Sequence, residues 1–403
     1  MASDDGQVPL LERAEMPDTT PTIPKETARE IALLEREFVE AEVQAFRASI
    51  PLLRPLYTRR NALIASKLAD ADFWPRVFAS EIEAYLLPSD EMIIRECLKN
   101  FTVERVSVNE AGDAGDPRDV RFTFEFDTSP ERNVWFGGDG KLVKEFYWRK
   151  SIGVSEKSGR RKVWEGLVSQ PVRIPWRKAE VDPTKGLLDA ACNLAEAEAK
   201  VAAGKKITPE QRLDLPEYEK LVTEVAKVEA QAGLRAERAA DGDDDEDEDE
   251  DEDEDDHEDG GPADVSFFAW FGYRGRDISA EESEEAMKAD EEYWGKIARG
   301  EKVEGDEEKE GEGDAASGDE FEEDEDADDD DEDGLMDAEI YPEGHELAMS
   351  LCDEVWDNAL KYYVQSLQAP EFGSDIDFDM DGMEDDDDDD EEETDRPRKK
   401  AKT

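Results

Sequence analysis

The sequence predicts an α+β fold: a long N-terminal dimerisation helix, then a domain of antiparallel β-sheet packed with helices, with disordered acidic linkers and an acidic tail outside the core. Three observations carry this. Apolar residues recur at alternating steps of three and four from Ile31 to Leu52. The stretches 120–127 and 141–150 alternate apolar and polar residues at period two. The carboxylates gather into tracts at 241–259, 322–333 and 384–393.

Along the chain, residues 1–23 read as a disordered lead and 24–72 as the helix, with a start at Pro24 to Glu26. Ile31, Leu34, Phe38, Ala41, Ala45, Ala48 and Leu52 have coiled-coil spacing, and the alanines permit close approach of a second copy packed antiparallel. A displaced row, Val39, Val43, Phe46, Ile50 and Leu53, is left to meet the rest of the chain or to complete the dimer contact. The alternative is one helix lying on its own domain. Pro51 and Pro55 each remove an intrahelical donor and are expected to bend or divide the helix.

Residues 73–180 form the expected α+β core, with Phe73, Trp74, Phe78 and Tyr85 as anchors and strands over 101–108, 120–127, 141–150 and 172–178. An alanine- and glutamate-rich helical insertion follows at 181–240, then an acidic linker at 241–262. The aromatic segment 263–275, containing "SFFAWFGYRG", is too apolar to leave exposed and is expected to dock on the core. A second acidic linker is expected over 276–336, looped outside the core. A C-terminal core helix over 337–368 and an acidic tail over 369–403 complete the chain.

The charge bounds the function. Of 403 residues, 112 are Asp or Glu and 49 Lys or Arg, a formal charge of −63. Blocks of like charge repel and cannot bury apolar surface. Such a surface favours basic partners over phosphate backbones, so no strong direct nucleic-acid binding is expected. Residues 141–180 reverse the trend, with 11 bases against 4 acids. That region is either a solvated edge or a surface for the chain's own acidic tail or a weak DNA contact.

Cys97, Cys192 and Cys352 are widely spaced and fit a reducing compartment. The first residues lack a secretory pattern and no stretch reaches membrane-spanning length, so a soluble, non-secreted protein is expected. Arg396, Arg398, Lys399, Lys400 and Lys402 form a terminal basic cluster that reads as a nuclear import signal. With His257 and His345 as the two histidines, no catalytic, metal or cofactor constellation stands out, and the chain does not read as an enzyme.

The ordered set "LRPLYTRRNALIASKLADADFW", "VRFTFEFD", "KLVKEFYW", "SFFAWF" and "DEVWDNALKYYV", ending in an acid-rich C-terminus, resembles the nucleosome assembly protein family of histone chaperones, in its SET/template-activating factor-like branch. The resemblance implies a homodimer paired through an antiparallel backbone helix, with an "earmuff" domain on each chain. It implies core histones, H3–H4 or H2A–H2B, as partners, and action in the nucleus with shuttling to the cytoplasm. It also implies, as the alternative, an inhibitor or cofactor of a protein phosphatase or histone acetyltransferase.

For histone contact it points to Glu339, Asp353, Glu354 and Asp357 near the last core helix. The tail carboxylates Glu384, Asp385, Asp386 and Asp387 are candidates beside them. Residues 151–171, 187–240 and 276–336 look expanded relative to compact members. Asp357 and Ala359 stand where close relatives carry proline, so a more continuous helix is expected there.

Overall fold

Helix α1 runs unbroken from Lys25 to Lys67, through Pro51 and Pro55, and at 1.5 Å per residue is about 64 Å long. The expected division at the prolines is therefore corrected, and the helix ends short of residue 72. The reason is tertiary: the loop after the first strand lies along the proline-bearing stretch. Arg47 Nε donates to Gly115 O at 2.6 Å and Arg54 Nη2 to Val108 O at 2.6 Å. Gly112, at φ +73°, comes so close that a Cβ there would sit 2.8 Å from Pro51 Cγ. The computed structural model describes residues 23–69, 71–155, 161–202, 206–240, 265–301 and 335–368.

Four antiparallel strands pair in sequence order: β1 (Leu98–Glu104), β2 (Val120–Phe126), β3 (Lys141–Val154) and β4 (Arg161–Ser169). The fourth is not the expected 172–178 stretch. Pro171 and Pro175 cannot donate to a ladder, and that stretch keeps a single bridge between Phe136 and Trp176. Instead β3 runs on and its partner returns within what reads as an expansion, pairing Phe146 with Ser169 through to Val154 with Arg161.

One face of the sheet carries Phe101, Phe122, Phe124 and Phe146, all fully buried. Against it pack α2 (Phe73–Glu81), which buries Phe73, Trp74, Val77 and Phe78, and α3 (Pro88–Cys97), which buries Ile93 and Ile94. A 3₁₀ turn, Phe267–Gly272, enters the same core with every residue buried. Its entry is held by the carboxylate of Asp90, which accepts from Ser266 Oγ at 2.6 Å and from the backbone N of Phe267 at 2.8 Å. Burial raises the Asp90 pKa while these donors oppose the rise.

Lys144 fixes the other end of that turn. Its Nζ, fully buried, donates to Gln170 O, Phe271 O and Tyr273 O at 2.8, 3.0 and 2.7 Å. Burial pushes the ammonium down to about 7, with the Glu339 charge opposing. A folded pKa below the unfolded one means the unfolded chain binds more protons between about 7 and 10.5. The group therefore destabilises in full below about 7, and stability rises with pH across that window. Lys144→Met should cost about 3 kcal/mol, since three buried carbonyls lose their donor, and should flatten that rise. Urea unfolding of both chains at several pH values checks it.

Three helices follow the sheet: α4 (Leu187–Ala202), α5 (Pro209–Leu213) and α6 (Pro216–Ala240). Leu187, Leu188, Ala191 and Leu194 of α4 enter the core. A buried ion network ties this layer down. Arg212 Nε donates to Glu198 at 2.8 Å and its Nη2 to Asp277 at 2.5 Å, and Arg274 Nη2 reaches Glu198 at 2.7 Å.

The acidic linker expected over 276–336 is corrected in part, because Ala280–Ala298 is a helix, α7, lying on β3. It buries Ser283, Ala286, Asp290 and Ile297, a helical spacing concealed by the acids around it. Asp290 accepts from Lys150 Nζ at 2.6 Å and from Arg161. Elsewhere in the basic region Arg173 pairs with Asp189 and Glu196, so much of its charge is met within the fold.

The C-terminal part is α8 (Gly344–Ser350), a π-turn over Leu351–Trp356, and α9 (Ala359–Ser366). The expected continuous helix is thus interrupted even without proline. The π-turn's wider loop, with Asp357 N bonding to Cys352 O, places Leu351, Cys352, Val355 and Trp356 inward.

Candidate functional site

Two surfaces stand out among the described residues. The first is the apolar row on α1. Ile31, Leu34, Phe38, Ala41, Ala45, Ala48 and Leu52 are all exposed, Leu34 at 53% and Phe38 at 62%. Leu56 and Leu63, four and eleven residues beyond Leu52, are exposed as well. The second row turns to the domain from Phe46 onward: Arg105 lies 5.0 Å over the Phe46 ring, and Ile50 is only 6% exposed. One helix thus carries two apolar stripes, and its own domain covers the C-terminal part of one of them, around Ile50.

The second surface is a set of carboxylates around the π-turn. Because its apolar residues point inward, Asp353, Glu354 and Asp357 face solvent. Asp357 Oδ1 accepts from Tyr57 Oη at 2.5 Å, and Glu354 Oε2 from Tyr362 Oη at 2.9 Å. Asp353 lies 3.5 Å from Arg105 Nη2. Glu81, at the end of α2, joins them through Tyr362.

Burial first, and then the charges of Asp357 and Glu354, hold the Asp353 carboxyl above its usual range. Burial and Glu354 do the same to Glu81. Carboxylates that repel one another in this way gain from a cation placed among them. Beside them, the Arg60 guanidinium lies 4.8 Å over the Tyr57 ring and 4.0 Å over Trp356, and donates to Trp356 O. This stack fastens the π-turn to α1. A groove of about 740 Å³ opens next to it, lined by Ile50, Tyr57, Asn61, Glu104, Glu125 and Asp357 among others.

Of the four acids picked from the sequence, the fold brings Asp353, Glu354 and Asp357 together and takes Glu339 away. Glu339 points inward, accepting backbone N–H groups from Arg274, Gly275 and Tyr341. Burial raises its pKa, and it serves the core rather than a partner. Glu384, Asp385, Asp386 and Asp387, like Arg396, Arg398, Lys399, Lys400 and Lys402, lie outside the described residues.

Sequence reading missed Tyr57, Arg60, Glu81 and Tyr362. Extending the second α1 row from Leu53 by steps of four, three and four reaches Tyr57, Arg60 and Ile64, so two of them had a signal. Glu81 and Tyr362 had none. Among the described residues no His, Cys, Asp or Glu group is arranged to hold a metal ion, and no helix is long and apolar enough to cross a membrane.

No family model matches the chain. Over 151 residues it is 30% identical to a Schizosaccharomyces pombe protein described as a "Putative nucleosome assembly protein", a match covering 36% of this chain and 56% of that one. The chain thus spans little more than half the length of that curated relative. The solved structure "Crystal structure of Ccp1" is 18% identical, with 86% of this chain and 98% of that one covered, at a TM-score of 0.42. "Crystal Structure of the Vps75 Histone Chaperone" is 16% identical, with 85% and 99% covered, at 0.37. Over those 151 residues the chain is thus similar to a protein described as a putative nucleosome assembly protein.

Proposed function

We propose that the protein is a histone chaperone, a homodimer that binds core histones through carboxylates and mediates nucleosome assembly and disassembly in the nucleus, without catalysis. The observation that carries the reading is the cluster of Glu81, Asp353, Glu354 and Asp357, whose carboxyls are crowded on one face of a chain with a formal charge of −63. The description of its relative agrees with it. Histones are basic, and DNA holds them through many phosphate contacts whose sum falls steeply with salt. A chaperone must match enough of that charge to prevent aggregation and still yield to correctly placed DNA. The folded face supplies geometry, and the acid tracts supply encounter rate.

Size-exclusion chromatography with light scattering, with and without H3–H4 or H2A–H2B at moderate salt, tests it. A dimer that takes up a defined histone load supports the reading. Polydisperse, salt-fragile complexes overturn it.

The cluster makes a sharper prediction. Replacing Asp353, Glu354 and Asp357 together by Asn, Gln and Asn should weaken histone binding about 10-fold at low salt and make its salt dependence shallower. Because the folded pKa values of Glu81 and Asp353 are raised, some protons remain on the free protein above the usual carboxylate range. A bound cation expels them. Binding should therefore tighten as pH rises through that range and release protons, which calorimetry in buffers of different ionisation heat reads directly.

A further inference from the structure

Helix α7 touches two parts of the chain. On the sheet side, Ser283 Oγ accepts from Lys150 N at 3.0 Å, Asp290 takes Lys150 and Arg161, and Arg161 lies 4.3 Å over the Tyr293 ring. On the other side, the Arg36 guanidinium of α1 sits 5.7 Å over the Trp294 ring. Two turns nearer the start of α1, Arg29 Nη1 is so close to Gly300 that a Cβ there would lie 3.4 Å away.

The helix is built to keep its own shape. Ser279 and Glu282 form a capping box at its start. At its end Gly300, at φ +74°, closes a Schellman motif, with Gly300 N bonding Ile297 O and Glu301 N bonding Lys296 O.

The N-terminal half of α1 is the opposite case. Ile31, Leu34, Phe38 and Val39 are exposed, and contacts with the sheet domain begin at Phe46. Most of a helix's stability in a protein comes from packing of its apolar face rather than from propensity, and here that face is bare.

We propose that α7 is a strap that holds residues 27–40 of α1 helical and in position before a second copy arrives, so that the dimer seam is presented pre-formed. Its use in assembly rests on the dimer reading above; the bracing itself does not. A pre-formed half-helix spares dimerisation the ordering of that segment, so a chain without the strap should dimerise more weakly. The hold of α7 on the sheet is mostly ionic, with Ile297 the large apolar side chain that the helix buries.

The test is hydrogen exchange on the full chain carrying Trp294→Ala, or Trp294→Phe as the conservative rescue. It is run with the seam intact and in a Leu34→Asp/Phe38→Asp background, where no partner helix shields α1. In that background Trp294→Ala should raise exchange over 27–40 about tenfold and leave 50–64 unchanged, and Trp294→Phe should restore it. With the seam intact, sedimentation should show an about tenfold weaker dimer for Trp294→Ala. Unchanged exchange over 27–40 while exchange within α7 itself rises would overturn the strap. A wild-type chain that is monomeric at every concentration, yet shows the tenfold rise, upholds the strap and overturns the dimer reading instead.

Discussion

Leu34→Asp with Phe38→Asp should turn a dimer into a monomer without unfolding the domain. Both side chains are more than half exposed on the single chain, and neither belongs to its core. Burying a Leu or Phe stabilises by about 1.5–3 kcal/mol, and two chains bury four such side chains across an antiparallel seam. Losing that contribution and adding four carboxylates should weaken the dimer by at least about 10⁴-fold, at about 1.4 kcal/mol per tenfold. Sedimentation across a concentration series reads the change, and urea unfolding should keep its slope. An unaltered dimer would move the seam elsewhere. Ile50→Asp is the contrasting variant: at 6% exposure it lies on the stripe facing the domain and should destabilise the fold itself.

Trp270→Ala should cost the domain about 3–5 kcal/mol, a large part of an ordinary domain's stability. The indole stacks 5.2 Å from Phe146, meets Phe122 edge-on at 5.4 Å, and donates from Nε1 to Gly344 O at 2.7 Å. Truncation opens a cavity at the centre of the sheet face and orphans that carbonyl. The midpoint of urea unfolding should fall steeply at unchanged slope. The residue lies far along the chain from the strands it supports, so the effect also measures how much the core depends on a distant insertion. A fall below about 1 kcal/mol would mean that the strands and α2 hold together without the 267–272 turn.

How much was legible follows from which signals are local. The α1 rows, the alternation in β2 and β3 and the aromatic run at 267–271 are periodic over a few residues, and a period names a face directly. β4 was hidden because the Ser- and Gly-containing sequence before it reads as a loop insertion, while the apolar 172–178 stretch drew attention despite Pro175. α7 was hidden by composition. Seven acids in its 19 residues read as linker, and only the bed of Lys150 and Arg161 makes Asp290 a buried anchor.

The amino-acid sequence by itself determined the α+β class, the long two-striped helix, the buried aromatic segment and the large surplus of negative charge. Each of these is a property of local spacing or of summed charge. Tertiary structure alone decided that α1 passes unbroken through Pro51 and Pro55, that Glu339 belongs to the core while Asp353, Glu354 and Asp357 share a face, and that an acid-rich stretch folds back as α7. In every one of these cases the deciding partner is distant in the chain: the loop bearing Gly112, the backbone of Arg274, and a strand pair carrying Lys150 and Arg161. A charge or a missing hydrogen bond acquires its energy from what stands opposite it, and no pattern along the chain records that.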